Sequence, residues 1–187
     1  LEGVIREKVI VFSENPGKSF VGSLIVIVLL IVAVSTVYFA SKRLIAFANF
    51  NSAIIAYSKD GNLDTIESGI KRSLSLEEND FFYRTLADVF LARLTTLAQT
   101  EPPQDQIENV QNQFLSYLQN AIGNAQAARN RSPENYLNWY ELARIYQTVV
   151  PLKLAGAYDE GKKAYAEAQR VNPTNPLLKL SEAQLEL

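Results

Sequence analysis

Carboxylates are the side chains through which this chain of 187 residues could do chemistry, because it holds no histidine, no cysteine and no methionine. Acid–base work by a pair of carboxyl groups needs the two to face one another across a cleft, in environments that separate their pKa values. The candidates are Glu77-Glu78 with Asp80, and Asp159-Glu160. Each cluster falls in or beside a turn, where a helix start favours negative charge through its dipole. Neither has a second acid placed to complete a pair, so both read as solvated helix starts. The missing His and Cys exclude nitrogen- or sulfur-ligated zinc, Ser-His and Cys-His nucleophile pairs, iron–sulfur clusters and a disulfide framework. Gly17-Lys18-Ser19 has the ending of a phosphate-binding loop, but Phe12 stands where the first glycine belongs. Lys71-Arg72 and Lys162-Lys163 are isolated basic pairs, and with a net charge of −2 no nucleic acid partner is expected. Asn130-Arg131-Ser132 is formally a glycosylation acceptor, but Pro133 follows it directly and the motif carries no argument. No catalytic, cofactor-binding or metal-ligating residue emerges, and the expected site is a binding surface.

The elements that must position such a surface fall into two parts. From Phe20 to Ala40 no residue is charged, and Leu24 to Val34 is almost entirely Leu, Ile and Val. At about 1.5 Å per residue this run reaches about 31 Å, close to the hydrocarbon thickness of a bilayer. Phe20 stands at one end and Tyr38-Phe39 at the other, with Lys18 and Lys42-Arg43 outside them, as interfacial anchors do. Residues 20–42 therefore read as a transmembrane helix, contacting lipid through residues 20–40. Arg6, Lys8 and Lys18 precede it and Lys42 and Arg43 follow, a small bias that leans towards a cytoplasmic N-terminal side. Residues 1–19 read as a juxtamembrane segment, with an apolar run at Val9–Phe12 and a turn at Glu14-Asn15-Pro16-Gly17.

Residues 43–187 show helical spacing throughout and no strand-like alternation. Three segments share one pattern: a first helix with an aromatic, a small or apolar pair three and four positions on and an aromatic three further, then a second helix with small residues on one face. The third unit (about 136–175) carries Trp139, Leu142, Ala143 and Tyr146, then Gly161, Tyr165 and Ala168, and stops at Asn172-Pro173-Thr174-Asn175. The first (about 47–79) has Phe50, Ala53, Ile54 and Tyr57, a turn at Lys59-Asp60-Gly61-Asn62, then Ile66, Ile70 and Ser73. The second (about 80–135) has Tyr83, Leu86, Ala87 and Phe90, and later Ala121, Ala125, Ala128 and Pro133. An insertion at Thr100-Glu101-Pro102-Pro103-Gln104-Asp105 splits it, followed by an amphipathic helix from about Gln106 to Asn130 with the stripe Ile107, Val110, Phe114, Leu118, Ala121 or Ile122, and Ala125. A shorter insertion lies around Val149–Leu154.

This pattern resembles the tetratricopeptide repeat, a helix–turn–helix unit of about 34 residues. The resemblance covers residues 47 to 187 and implies an all-α fold: one transmembrane helix followed by an α-solenoid of about three degenerate repeats and a partial fourth at 176–187. In that fourth unit Leu177, Leu178, Leu180, Leu185 and Leu187 would leave apolar surface uncovered, which together with Leu at position 1 reads as a piece of a longer protein. No Gly or Pro separates Ala40 from Tyr57, so the membrane helix is expected to run on into the first repeat helix and hold it rigidly; spin labels at 38 and 50 would then give a narrow distance distribution.

The resemblance implies binding of a protein or peptide partner in the repeat groove. Groove positions carried over from the family are Arg84 and Asp88 in the second unit, and Tyr140, Arg144 and Gln147 in the third. Family members that clamp a C-terminal carboxylate use Lys and Asn at such positions, and Arg84 with Asp88 departs from that. An alternative reading is that Arg84 and Asp88, four apart, merely pair with each other on the helix surface. A narrower likeness, carried by "NYLNWYELARIYQTVVPLKLAGAYDEGKKAYAEAQRVNPTNP" after a membrane helix, is to the C-terminal region of bacterial polytopic proteins that join an O-antigen polymerase or ligase-like core to such repeats. That likeness implies an accessory tail facing away from the cytoplasm, with glycan transfer elsewhere. The two expectations are therefore a non-catalytic, membrane-anchored scaffold, and the tail of a larger envelope enzyme.

Overall fold

The computed structural model of the chain describes residues 16–99 and 103–186. The apolar run at Val9–Phe12, the turn residues Glu14-Asn15, most of the insertion at Thr100-Glu101-Pro102, and Leu187 lie outside the described residues. Every regular element described is helical: α1 (Pro16–Asp60), α2 (Leu63–Leu76), α3 (Asp80–Ala98), α4 (Ile107–Arg131), α5 (Tyr136–Val149), α6 (Ala157–Val171) and α7 (Pro176–Leu185), with short 3-10 turns at Gln104–Gln106 and Val150–Leu152. Two compact units divide between Arg43 and Leu44.

The first unit is the apolar part of α1, a helix of 45 residues that continues without a break through Ala40–Tyr57. Pro16 and Gly17 belong to this helix rather than to a turn; proline is tolerated in a first turn, where its missing N–H would have no partner. The large apolar side chains from Phe20 to Phe39 are all exposed, and its most apolar stretch of 18 residues buries none of them. Length and composition suffice to cross a bilayer.

In the second unit the helices pack as consecutive hairpins: α3 against α4, and α5 against α6, with α4 on α5 and α6 on α7 joining them. Asparagines set four of the helix starts. Asn62, Asn79, Asn135 and Asn175 each accept a hydrogen bond from the backbone N–H two residues on, satisfying a donor that the helix leaves free. Left-handed Gly61 (φ 62°) ends α1, and Lys153 (φ 56°) and Gly156 (φ 80°) shape the connection into α6.

Burial follows the small-and-aromatic pattern. Phe50 and Ala53 of α1, Ile66, Ile70 and Ser73 of α2, Leu86, Ala87 and Phe90 of α3, Ala121, Ala125 and Ala128 of α4, Leu142 and Ala143 of α5, and Gly161, Tyr165 and Ala168 of α6 are all buried. Four expectations are corrected. The buried aromatic that opens α3 is Phe82, stacked on Phe50 at 4.9 Å, while Tyr83 is only half-buried. Trp139 is also half-buried: its indole N–H reaches outward to the Pro133 carbonyl (2.8 Å), and the Arg129 guanidinium covers the ring at 5.2 Å. In α7, Leu178 and Leu185 are buried against the preceding hairpin, and Leu177 and Leu180 stay exposed. The start of the α4 stripe is looser than expected too. Ile107 is exposed, and Val110 and Phe114 line an open apolar groove of about 490 Å³ with Leu97, Leu152 and Leu154, because α3 ends opposite that half of α4.

Candidate binding groove

The groove candidates lie on two adjacent helices, Arg84 and Asp88 on α3 and Tyr140, Arg144 and Gln147 on α5. Each of them has a side-chain partner, in three sets of contacts. The Arg144 guanidinium donates to both carboxylate oxygens of Glu141 (2.8 and 2.9 Å) and crosses to Asp88, joining α5 to α3. Arg84 donates to the Asn138 side-chain oxygen (2.6 Å) and lies 3.9 Å from Asp80. Tyr140 meets the buried Tyr165 edge-on at 6.1 Å, and the Tyr165 hydroxyl donates to Gln147. Arg84 and Asp88 therefore each reach across to α5, in place of the surface pair four residues apart.

Two buried polar residues that sequence reasoning did not single out hold Arg84 and Arg144. Asn138, fully buried, donates to Asp80 (3.0 Å), to the Ala128 carbonyl (3.1 Å) and to the Ser132 carbonyl (3.0 Å) while accepting from Arg84. It thus ties α3, the end of α4 and the start of α5 together. Asp80 also accepts from Asn135 (2.9 Å), so it is a tie between repeats and not a solvated helix start. Glu141 is 4% exposed. The signal was present in the spacing: Asn138, Glu141 and Ile145 fall three and four apart, in register with Leu142 and Val149, which puts two polar residues into an apolar stripe.

Electrostatics follow from that burial. The Glu141 carboxyl is pushed up to about 7 by burial, against the pull of the Arg84 charge. Burial lowers both Arg84 and Arg144, which remain cations because guanidinium starts so high. Burial acts against the charge on Asp80, but the hydrogen bonds from Asn138 and Asn135 and the Arg84 charge hold its carboxyl below the ordinary range. Burial carries the Tyr165 hydroxyl up to about 12. The other acidic cluster is plainer: Asp159 and Glu160 sit in the first turn of α6, and Glu160 meets Lys163 at 2.7 Å. Among the described residues no three His, Cys, Asp or Glu gather as a metal site would need.

Beside these contacts, Leu137 and Tyr140 of α5 face Leu177 and Leu178 at the start of α7 around a small apolar pocket of about 110 Å³. Tyr140 on the pocket wall and Arg144 thus lie one helical turn apart on α5.

The fold is that of tetratricopeptide repeats. The chain is similar to the TPR domain of OM64 from Arabidopsis, with a TM-score of 0.56 and 14% sequence identity, over 78% of this chain and 97% of that one. No protein-family model matches the chain, and no curated protein matches it.

Proposed function

We propose that the chain is a membrane-anchored, non-catalytic repeat scaffold that takes a protein or peptide segment in the groove between α3 and α5. What supports this reading is that Arg84 and Asp88 of α3 each contact α5, which also carries Tyr140, Arg144 and Gln147, with an apolar pocket beside Tyr140. The anchor rests on residues 20–40, whose apolar side chains are exposed along their whole length, as suits lipid and not a protein core. The flanking Lys and Arg residues favour a repeat unit on the extracytoplasmic side.

A second reading, that the scaffold is the accessory tail of a bacterial O-antigen polymerase or ligase-like membrane protein, draws on the same anchor and on the sequence likeness through residues 135–176. In that case the glycan chemistry belongs to other membrane helices.

The scaffold reading is tested on membranes containing the full chain. Alkaline carbonate should leave the protein in the pellet, and a protein that co-purifies from detergent extract should be lost from the Tyr140→Ala, Leu137→Ser variant with its helical dichroism unchanged. Release by carbonate contradicts the anchor; equal recovery contradicts the groove.

A further inference from the structure

The charges of the groove are not evenly matched. Glu141 grips Arg144 with both oxygens, Asp80 stands 3.9 Å from Arg84, and Asp88 shares an Arg144 that Glu141 already holds. With Glu141 ionised, three carboxylates face two guanidiniums. The surplus charge belongs to Asp88, which is also the accessible one: its side chain is 47% exposed, against 5% for Glu141 and 18% for Asp80. A carboxylate-ended ligand would have to compete for guanidiniums already held from within, whereas a cation can reach Asp88 from solvent without unseating Arg144 from Glu141. Electrostatic complementarity of this kind selects partners more than it adds affinity.

The apolar pocket sets the second feature. At about 110 Å³ it is somewhat smaller than cavities of about 150 Å³ that hold benzene, a size for one aliphatic side chain. Tyr140, on its wall, is one helical turn from Arg144, about 5–6 Å along α5, and Arg144 in turn reaches Asp88 on α3.

We infer that the groove recognises an extended protein segment carrying an aliphatic residue close to a lysine or arginine, the aliphatic side chain entering the pocket of Leu137, Tyr140 and Leu177 and the cation meeting Asp88. This inference rests on the groove reading above and names the chemistry of its occupant. It excludes capture of a free C-terminal carboxylate as the main mode.

The test uses the full chain in detergent at pH 8, where Glu141 is ionised, and fluorescent peptides read by anisotropy. The probe is acetyl-Gly-Gly-Leu-Ser-Lys-Gly-Gly-amide; its comparators replace Lys by Gln or Glu, replace Leu by Ser, or carry Gln with a free C-terminal carboxylate. The capped Leu-Ser-Lys peptide should bind at least 10-fold more tightly than each comparator. Asp88→Asn should remove that preference for Lys over Gln, and Leu177→Ser, at a residue 64% exposed, should remove the preference for Leu over Ser. Tighter binding of the Glu or free-carboxylate peptide, a Lys preference that survives Asp88→Asn, or no peptide binding at all overturns the inference. If the inference falls while the Tyr140→Ala, Leu137→Ser variant still loses its co-purifying protein, the groove reading stands alone.

Discussion

At the scale of single residues, the polar side chains of α5 carry more of the structure than its tryptophan does. Trp139 is half-buried and hydrogen-bonded to a surface carbonyl, so Trp139→Ala should destabilise the chain by about 1–2 kcal/mol, below the 3–5 kcal/mol of a core aromatic. Asn138→Leu removes four hydrogen-bond partnerships and leaves buried acceptors and the Arg84 guanidinium unmet; a loss of about 2–4 kcal/mol is expected from the shift in denaturant midpoint. A loss under about 0.5 kcal/mol would mean that the Asn138 tie is not formed. Glu141 sets a pH dependence. Its folded pKa is raised from 4.5 to about 7, so between those values the native state binds more protons than the unfolded chain. Stability from this group therefore falls as pH rises through that window. Melting profiles should show the slope in the parent chain and a flatter profile in Glu141→Gln; identical slopes contradict the buried carboxylate. These residues were hard to read because their partners are remote: Arg84 meets Asn138 across 54 positions, and nothing local marks that pairing.

At the scale of elements, two glycines with opposite surroundings give opposed predictions. A Cβ on Gly69 of α2 would lie 2.2 Å from the Ala53 Cβ of α1, so the two helices approach as closely as they do because position 69 has no side chain. Gly69→Ala should cost about 1–3 kcal/mol as the helices are pushed apart. Gly123, inside α4, has nothing within 4 Å of an added Cβ, and Gly123→Ala should stabilise by about 0.5–1 kcal/mol through helix propensity alone. Thermal melts of the two variants should move in opposite directions, and a stabilised Gly69→Ala would contradict the α1–α2 packing. Helical periodicity made most elements legible: the spacing of Phe50, Ala53, Ile66 and Ile70, or of Ala121, Ala125 and Ala128, marks the buried faces directly. It was less able to choose between adjacent residues, taking Tyr83 where Phe82 is buried, because neighbours differ by only 100° around a helix. The asparagine caps carried a readable signal, a capping residue just ahead of four helices.

At the scale of the whole molecule, the repeat architecture was legible because it depends on a period, while the groove was legible only as positions. Carrying over the repeat pattern named Arg84, Asp88, Tyr140, Arg144 and Gln147 as groove positions; it could not reveal that Glu141 and Asn138 are buried and bonded to Arg144 and Arg84. The proposed function draws on two parts, an apolar helix whose side chains are exposed and a helical repeat unit. The measurement that bears most directly on the account is photocrosslinking of the full chain in its native membranes, with benzoylphenylalanine placed at Tyr140 in the groove or at Lys163, an exposed position on α6. The account predicts a discrete protein adduct in the membrane fraction from position 140 and none from 163. Adducts of equal yield from both positions, or from 163 alone, would contradict it.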